Sequence, residues 1–387
     1  MRTLVVTNDF PPRAGGIQAY VAELVSRLPA GTVVVYAPAW AGAAAYDAAQ
    51  PFPVIRHPTS LMLPVPTVLR RAGEVARSEG CEAVWFGAAA PLALLADPLR
   101  RYGVRRFVAS THGHEVGWAR VPVGRQVLRR IGGTVDVITY LGEYTRSRLA
   151  PALGPSARLV ALPSGVDPGA FRPDAGREEV RRRYQLGDRP VVVCVSRLVP
   201  RKGQDVLIRA LPAVRRQAPG AALLLVGGGP DLGRLRRLAT RIGVSDAVYF
   251  TGTVAWEELP AHYAAGDVFA MPCRTRAGGL EVEGLGIVYL EASATGLPVV
   301  AGRSGGAPDA VLEGQTGYVV DGRDAAAVAS RLAELLTDPA RARSMGARGR
   351  EWVEREWRWD VLGHRLAGLL AGPNDSPVSP PRSGDRR

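Results

Sequence analysis

The sequence predicts an α/β protein built from two doubly wound units, and three observations carry that prediction. The chain has 387 residues, enough for two domains with separate cores. Short apolar runs of strand character alternate with helical patterns along nearly its whole length, as in parallel sheets covered by helices. Near Pro163–Phe171 the composition turns to Pro, Gly and charge (PSGVDPGAF, then REEVRRRYQLGDRP), which places a domain boundary there.

Residues 3–7, TLVVT, form the first strand pattern, ending at Asn8. The loop DFPPRAGGIQ follows, and from Ile17 the spacing of Tyr20, Val21, Leu24 and Leu28 is helical until Pro29 and Gly31 close it. Strand, Gly-rich loop and helix make the opening unit of a doubly wound fold, with the loop at the edge where such folds bind ligands. It is neither a dinucleotide fingerprint nor a P-loop, since G-x-G-x-x-G and Gly-Lys-Ser/Thr are both missing here. Further strands are predicted over 32–37, 83–86, 106–110 and 135–139. The stretch Arg56–Arg77 mixes apolar residues with Arg56, Arg70, Arg71 and Arg77. It reads either as a basic, apolar element lying on a membrane or as a loop and helix packed on the sheet, and packing is the first expectation. In the second unit, strands are predicted over 191–195, 221–226, 248–251, 268–271 and 299–301, with helices over 206–214, 232–239, 325–336 and 343–359. Gly227–Gly229 suits a phosphate cradle or a tight turn equally well.

Composition narrows the function. Hydrophobic residues make up 47% and charged residues 22%, ordinary for a globular protein, and no apolar run reaches the ~18 residues of a spanning helix. The N-terminus lacks a signal peptide pattern, and Cys81, Cys194 and Cys273 are isolated, so a cytosolic location is expected. Net charge is +13, and residues 1–163 carry 18 Arg against 10 acids, an excess of +8. Such a bias serves anionic lipid or nucleic acid, or is plain solvated surface. Of the 49 basic residues one alone is lysine, Lys202. A site that keeps Lys where Arg prevails elsewhere points to a need for a compact ammonium.

Two motifs stand out. In EVEGLGIVYLEASATG, Glu283 and Glu291 bracket a Gly-rich turn and a helical pattern, at most about 12 Å apart along a helix axis. Gly284, Leu285, Gly286 and Ile287 form the turn, whose bare backbone suits close approach to a ligand and whose following N–H groups attract phosphate. THGHEVGW places His112 and His114 at the carboxyl end of a predicted strand. HGHE is not H-E-x-x-H and no Cys lies near, so a metal is disfavoured; a histidine making a simple backbone hydrogen bond is the alternative.

NDFPPRAGGIQ, THGHE, PSGVD, SRLVPRKG, VGGGP, GTV, MPC and EGLGIVYLEA, in this order, resemble glycosyltransferase family 4, a family of retaining, nucleotide-sugar-dependent enzymes of GT-B fold. The resemblance implies two facing Rossmann-like domains, 1–168 for the acceptor and 169–355 for the donor, and a helix 356–371 crossing back; the composition of 372–387, rich in Pro, Ser, Asp and Arg, predicts a disordered tail. It implies that Glu283 holds sugar hydroxyls, that Glu291 holds the ribose hydroxyls, and that Arg197 and Lys202 clamp the diphosphate. Gly15 and Gly16 would approach the phosphates, Gly252 and Val254 would contact the base, and His112 rather than His114 would lie near the reacting sugar. NDFPPRAGGIQAY and THGHEVGW look particularly like bacterial mannosyltransferases that add α-mannose from GDP-mannose to phosphatidylinositol monomannoside. The implied partners are a nucleotide sugar, an anionic lipid acceptor and a peripheral membrane surface at the inner face of the cell membrane, and no nucleic acid.

The residue chemistry agrees with this. A departing diphosphate needs its growing charge neutralised, and no Asp-x-Asp occurs to hold a metal. Arg197, Lys202 and helix N–H groups are the expected replacement, with no cofactor and no metal. No carboxylate in the motifs stands out as a covalent nucleophile, so front-face attack with retention is expected. The rivals are a UDP-sugar transferase acting on a soluble sugar or polysaccharide, and a non-catalytic basic protein binding nucleic acid.

Overall fold

The computed structural model describes residues 1–279 and 281–372. The chain divides into two compact units, Met1–Ser164 together with the segment from Trp359, and Gly165–Arg358.

The first unit is a seven-stranded sheet: β1 (Arg2–Val6), β2 (Val33–Pro38), β3 (Val54–His57), β4 (Cys81–Phe86), β5 (Arg106–Ser110), β6 (Val137–Tyr140) and β7 (Leu159–Ala161). The order is β3-β2-β1-β4-β5-β6-β7, every pair parallel. The central strands are buried on both faces, which is why they read as unbroken apolar runs rather than alternating ones. Alternate side chains feed two cores. Leu4, Val6, Val84 and Phe86 pack with helices Pro66–Ser78 and Pro122–Thr134, and Val5, Val35 and Trp85 pack with Gly16–Val25. The helix Trp359–Ala371 completes the second core with Leu362, Leu366 and Leu370, and the Leu369 carbonyl accepts from Arg106 Nε at 2.9 Å.

The second unit has a six-stranded sheet: β8 (Val191–Val195), β9 (Ala222–Val226), β10 (Val248–Gly252), β11 (Val268–Met271), β12 (Val299–Gly302) and β13 (Gly317–Val320). Its order is β10-β9-β8-β11-β12-β13, again all parallel. Both sheets switch strand order at their first strand, β1 and β8, so the loops after these strands lie where doubly wound folds bind ligands. The α/β fold class read from the sequence is therefore the observed one.

Three strands were not foreseen, β3, β7 and β13, and each is a sheet edge of three or four residues. The expected 343–359 helix is instead Pro339–Glu356, begun by Asp338, whose carboxylate accepts from the Arg341 N–H at 3.0 Å. In Arg56–Arg77 the packing expectation holds for the helix. Helix Pro66–Ser78 packs Val68, Ala72, Val75 and Ala76 into the core, and Arg56 is held by Asp47 at 2.7 Å. The preceding loop nevertheless leaves Leu61 57% and Leu63 47% exposed around buried Met62. Asn8 clasps Met62 by exchanging two hydrogen bonds with its backbone, at 2.9 and 2.7 Å, so this loop is pinned and its leucines stay outward. The expected tail beyond Gly372 lies outside the described residues.

Candidate functional site

In the second unit the expected residues gather at the carboxyl ends of the strands. After β8 the chain turns through Pro200–Lys202 and Gly203 into helix Gln204–Gln217, and this turn aims the lone lysine inward. Lys202 Nζ donates to Glu283 Oε2 at 2.7 Å, and Arg201 Nη1 donates to the same oxygen at 3.0 Å. Glu283 and Lys202 are both buried. A buried carboxylate is tolerable when cations answer it, and removing one partner typically costs about 3–5 kcal/mol.

Glu283 is fixed from behind as well. Its carbonyl accepts from the Gly306 N–H at 3.0 Å, and the Gly284 carbonyl accepts from the same group at 3.1 Å. The Glu283 N–H donates to Ser304 Oγ at 3.4 Å. Gly305 stands so close that a Cβ there would collide with the Glu283 carbonyl. Gly286 then adopts φ 78°, and helix Ile287–Ala294 begins directly after it with its first N–H groups facing this turn.

At the other side of that helix Glu291 is buried, and Tyr263 donates its hydroxyl to Oε2 at 2.5 Å. Burial pushes the Glu291 carboxyl up to about 7, while the Tyr263 hydrogen bond pulls it down. Tyr263 itself is raised well above the ordinary phenol, first by burial and then by the Glu291 charge. Glu291 and Glu283 thus occupy different environments, one answered by a neutral hydroxyl and the other by two cations.

Arg197 is exposed, and among the described residues its guanidinium makes no ion pair, in contrast to Lys202 and Arg201. Gly252 ends β10 with its carbonyl bonded to the Gly227 N–H at 3.0 Å, and Val254 is half-buried two residues on. The Gly228 carbonyl accepts from the Leu198 N–H at 2.9 Å, which binds the Gly227–Gly229 run into its neighbours as a tight turn.

In the first unit, Gly15 precedes helix Gly16–Val25 and lies against the Gln18 side chain, while Gly16 faces open space. Gln18 Nε2 donates to Asp9 Oδ1 at 2.7 Å, tying the loop to its helix. His112 follows β5. Its Nε2 lies 2.7 Å from the Gly87 carbonyl oxygen, and since a carbonyl only accepts, Nε2 carries the hydrogen. The simple backbone bond expected as an alternative is therefore present, and it leaves Nδ1 as the acceptor of a neutral ring. Burial lowers the His112 pKa and keeps the ring neutral, with Glu115 opposing that shift. His114 is exposed.

The sequence reading missed Arg201, Tyr263 and the Ser304–Gly306 support. Arg201 is one arginine among 48, since 49 basic residues less one lysine leaves 48, and although it lies in SRLVPRKG its residue type does not set it apart. Tyr263 lies 28 residues from Glu291. GRSGGAPD after β12 carried a signal in its paired glycines, but not what they pack against.

Comparison with known proteins adds an independent line. Residues 14–170 match the family Glycosyltransferase Family 4, and residues 176–352 match Glycosyl transferases group 1. A Mycobacterium tuberculosis protein named GDP-mannose-dependent alpha-(1-6)-phosphatidylinositol monomannoside mannosyltransferase is 60% identical over 96% of this chain and 98% of its own. A Corynebacterium glutamicum protein, named the GDP-mannose-dependent monoacylated alpha-(1-6)-phosphatidylinositol monomannoside mannosyltransferase, is 50% identical over 95% of this chain and 97% of its own. Among solved structures, Anabaena HepE in complex with UDP superposes with a TM-score of 0.77 at 19% identity, covering 96% of this chain and 100% of that one. At that identity the likeness speaks for the fold.

Proposed function

The chain belongs to glycosyltransferase family 4, and from that premise we propose that it moves α-mannose from GDP-mannose onto a phosphatidylinositol mannoside, with retained configuration, at the cytosolic face of the membrane. The observation that carries this reading is the agreement, over almost the entire length, with relatives whose names specify that donor and that acceptor.

The geometry supports the transfer chemistry. In this reading Glu291 accepts from the ribose hydroxyls, and Gly252 and Val254 meet the base through their backbone. Arg197 and Lys202, with Arg201 beside them, and the N–H groups at Gly284–Ile287 receive the diphosphate. Both cations meet Glu283 at Oε2, which leaves Oε1 for a sugar hydroxyl. In the first unit, the Gly15–Gly16 backbone is offered to a phosphate, and His112 offers Nδ1 as an acceptor for a sugar hydroxyl. As the sugar–phosphate bond breaks, the departing phosphate oxygen takes the proton of the acceptor hydroxyl, and the new bond forms on the face being vacated. Side-chain cations and backbone dipoles neutralise the leaving group, so no divalent metal is called for.

The lipid acceptor requires a membrane surface. Exposed Leu61, Leu63, Val121 and Val123 lie in segments followed by exposed Arg70 and Arg71 on one helix and Arg125 on another. Apolar anchors beside arginines are the chemistry that binds an anionic leaflet.

The test measures mannose transfer from labelled GDP-mannose to monomannosylated phosphatidylinositol in vesicles containing EDTA, beside calorimetric binding of GDP-mannose and UDP-glucose. Transfer in EDTA is expected, with GDP-mannose binding lost in Lys202→Ala. Preference for the uridine donor, or transfer only to a soluble sugar, would overturn the assignment.

A further inference from the structure

Glu115 is wholly buried at the start of the short helix Glu115–Trp118, yet it belongs to none of the roles set out above. Its Oε2 accepts from two backbone N–H groups, those of His112 and Gly113, each at 3.0 Å. Its Oε1 is buried without a hydrogen bond, 3.4 Å from His114 Nε2. Burying a carboxylate costs several kcal/mol unless its oxygens are answered, and here Oε1 has no hydrogen bond and only the His114 ring at ion-pair distance. A turn of this kind is ordinarily closed by a shorter Asn, Asp or Ser at far smaller cost. Closing the loop is therefore an insufficient reason for a glutamate.

What the glutamate adds is a carboxylate charge close enough to raise the His112 pKa. The two bonds to Oε2 set the backbone at His112, and Gly113 takes φ 93° to allow it. With the backbone set, the ring is held on two sides, by the Gly87 carbonyl at 2.7 Å and by the edge-on Tyr20 ring at 5.0 Å between centroids. We infer that Glu115 is a positioning residue for the transfer reaction, fixing the His112 ring in its Nε2–H tautomer with Nδ1 presented as an acceptor. This inference rests on the role proposed for His112 at the transferred sugar.

The charged groups facing His112 are few. Glu115 and Asp9 raise its pKa and His114 lowers it, all against the larger lowering by burial. Removing the Glu115 charge therefore moves the His112 titration further down, whereas kcat at a pH above that titration falls only if Glu115 positions the ring.

The experiment compares the full-length protein with Glu115→Gln and His112→Ala. Gln keeps a carbonyl oxygen for the two backbone bonds and removes the charge. The expected result for Glu115→Gln is a kcat at least about tenfold lower, a GDP-mannose KM within about threefold, and an acid limb displaced to lower pH. Nitrogen-15 spectra of wild-type His112 are expected to show the Nε2–H tautomer alone across neutral pH, a readout that needs no variant to fold. Wild-type kcat in Glu115→Gln at a pH above the His112 titration, or a tautomer mixture in the wild type, would overturn the inference. Undiminished kcat in His112→Ala would instead remove the role of His112, so the two failures are told apart.

Discussion

Glu291 and Glu283 sit eight residues apart, and their surroundings assign them opposite electrostatics. Glu283 faces Lys202 and Arg201, whereas Glu291 faces a phenol hydroxyl inside the core. The folded pKa of Glu291, about 7, is raised above the ordinary 4.5, so its protonated form favours folding. That contribution is complete below about 4.5 and is lost as pH rises through about 7, a span worth about 3 kcal/mol. Glu291→Gln keeps the acceptor for Tyr263 without the charge. The variant is therefore expected to be more stable than the parent at pH 8, by up to about 3 kcal/mol, with the gap closing at pH 5. Urea unfolding at the two pH values measures it, and equal gaps would contradict the burial argument. Donor KM of the parent should meanwhile rise as pH falls below 7, since the neutral acid is a poorer acceptor for a ribose diol. Lys202 was legible because one lysine stands out among arginines, and the same uniformity hid Arg201 and its shared hold on Glu283.

The helix Ile287–Ala294 shows what an element takes from its neighbours. It is buried from Tyr289 to Ala294, so no polar stripe marked its faces, and its start was read from Gly286 instead. The strands buried on both faces were legible as apolar runs, and the three missed strands are edges too short to form one. The Glu283 turn is shaped by Ser304–Gly306 after the neighbouring strand β12, a contact no local pattern encodes. Gly305 sits at φ 55°, and any side chain there meets the Glu283 carbonyl. Gly305→Ala is thus expected to displace the Glu283 turn, at a cost of about 1–3 kcal/mol in stability. Its donor KM should rise at least about tenfold, the price of one lost charge-assisted contact. Gly314→Ala is the control, since Gly314 has φ 70° but nothing near its Cβ. Equal effects of the two substitutions on KM would show that backbone strain, and not the collision with the turn, is responsible.

At the scale of the whole molecule, charge and exposed apolar residues combine in the first unit. The +8 excess in residues 1–163 accounts for most of the net +13, and the same stretch contains Leu61, Leu63, Val121 and Val123 at 47–72% exposure. No helix among the described residues is long and apolar enough to cross a membrane, and the attachment proposed above is a surface one. In the proposed attachment two physical terms contribute, and they respond to different variables. The arginines act through the surface potential of an anionic leaflet, each worth about 1 kcal/mol near the surface and screened over about 8 Å at physiological salt. The leucines act through buried area, which salt does not screen. Vesicle flotation should therefore show binding to anionic vesicles that weakens steeply between low and high salt, with little binding to neutral ones. In Leu61→Ser/Leu63→Ser the salt dependence should persist while binding drops at every ionic strength, by about tenfold or more, because the apolar term is removed and the charges are untouched. Transfer to the vesicle-borne lipid should fall in parallel while calorimetric affinity for GDP-mannose stays at the parental value. If flotation is unchanged by the double substitution, the exposed leucines are not the anchor, and if donor affinity falls with it, the loop acts through the fold rather than through the membrane.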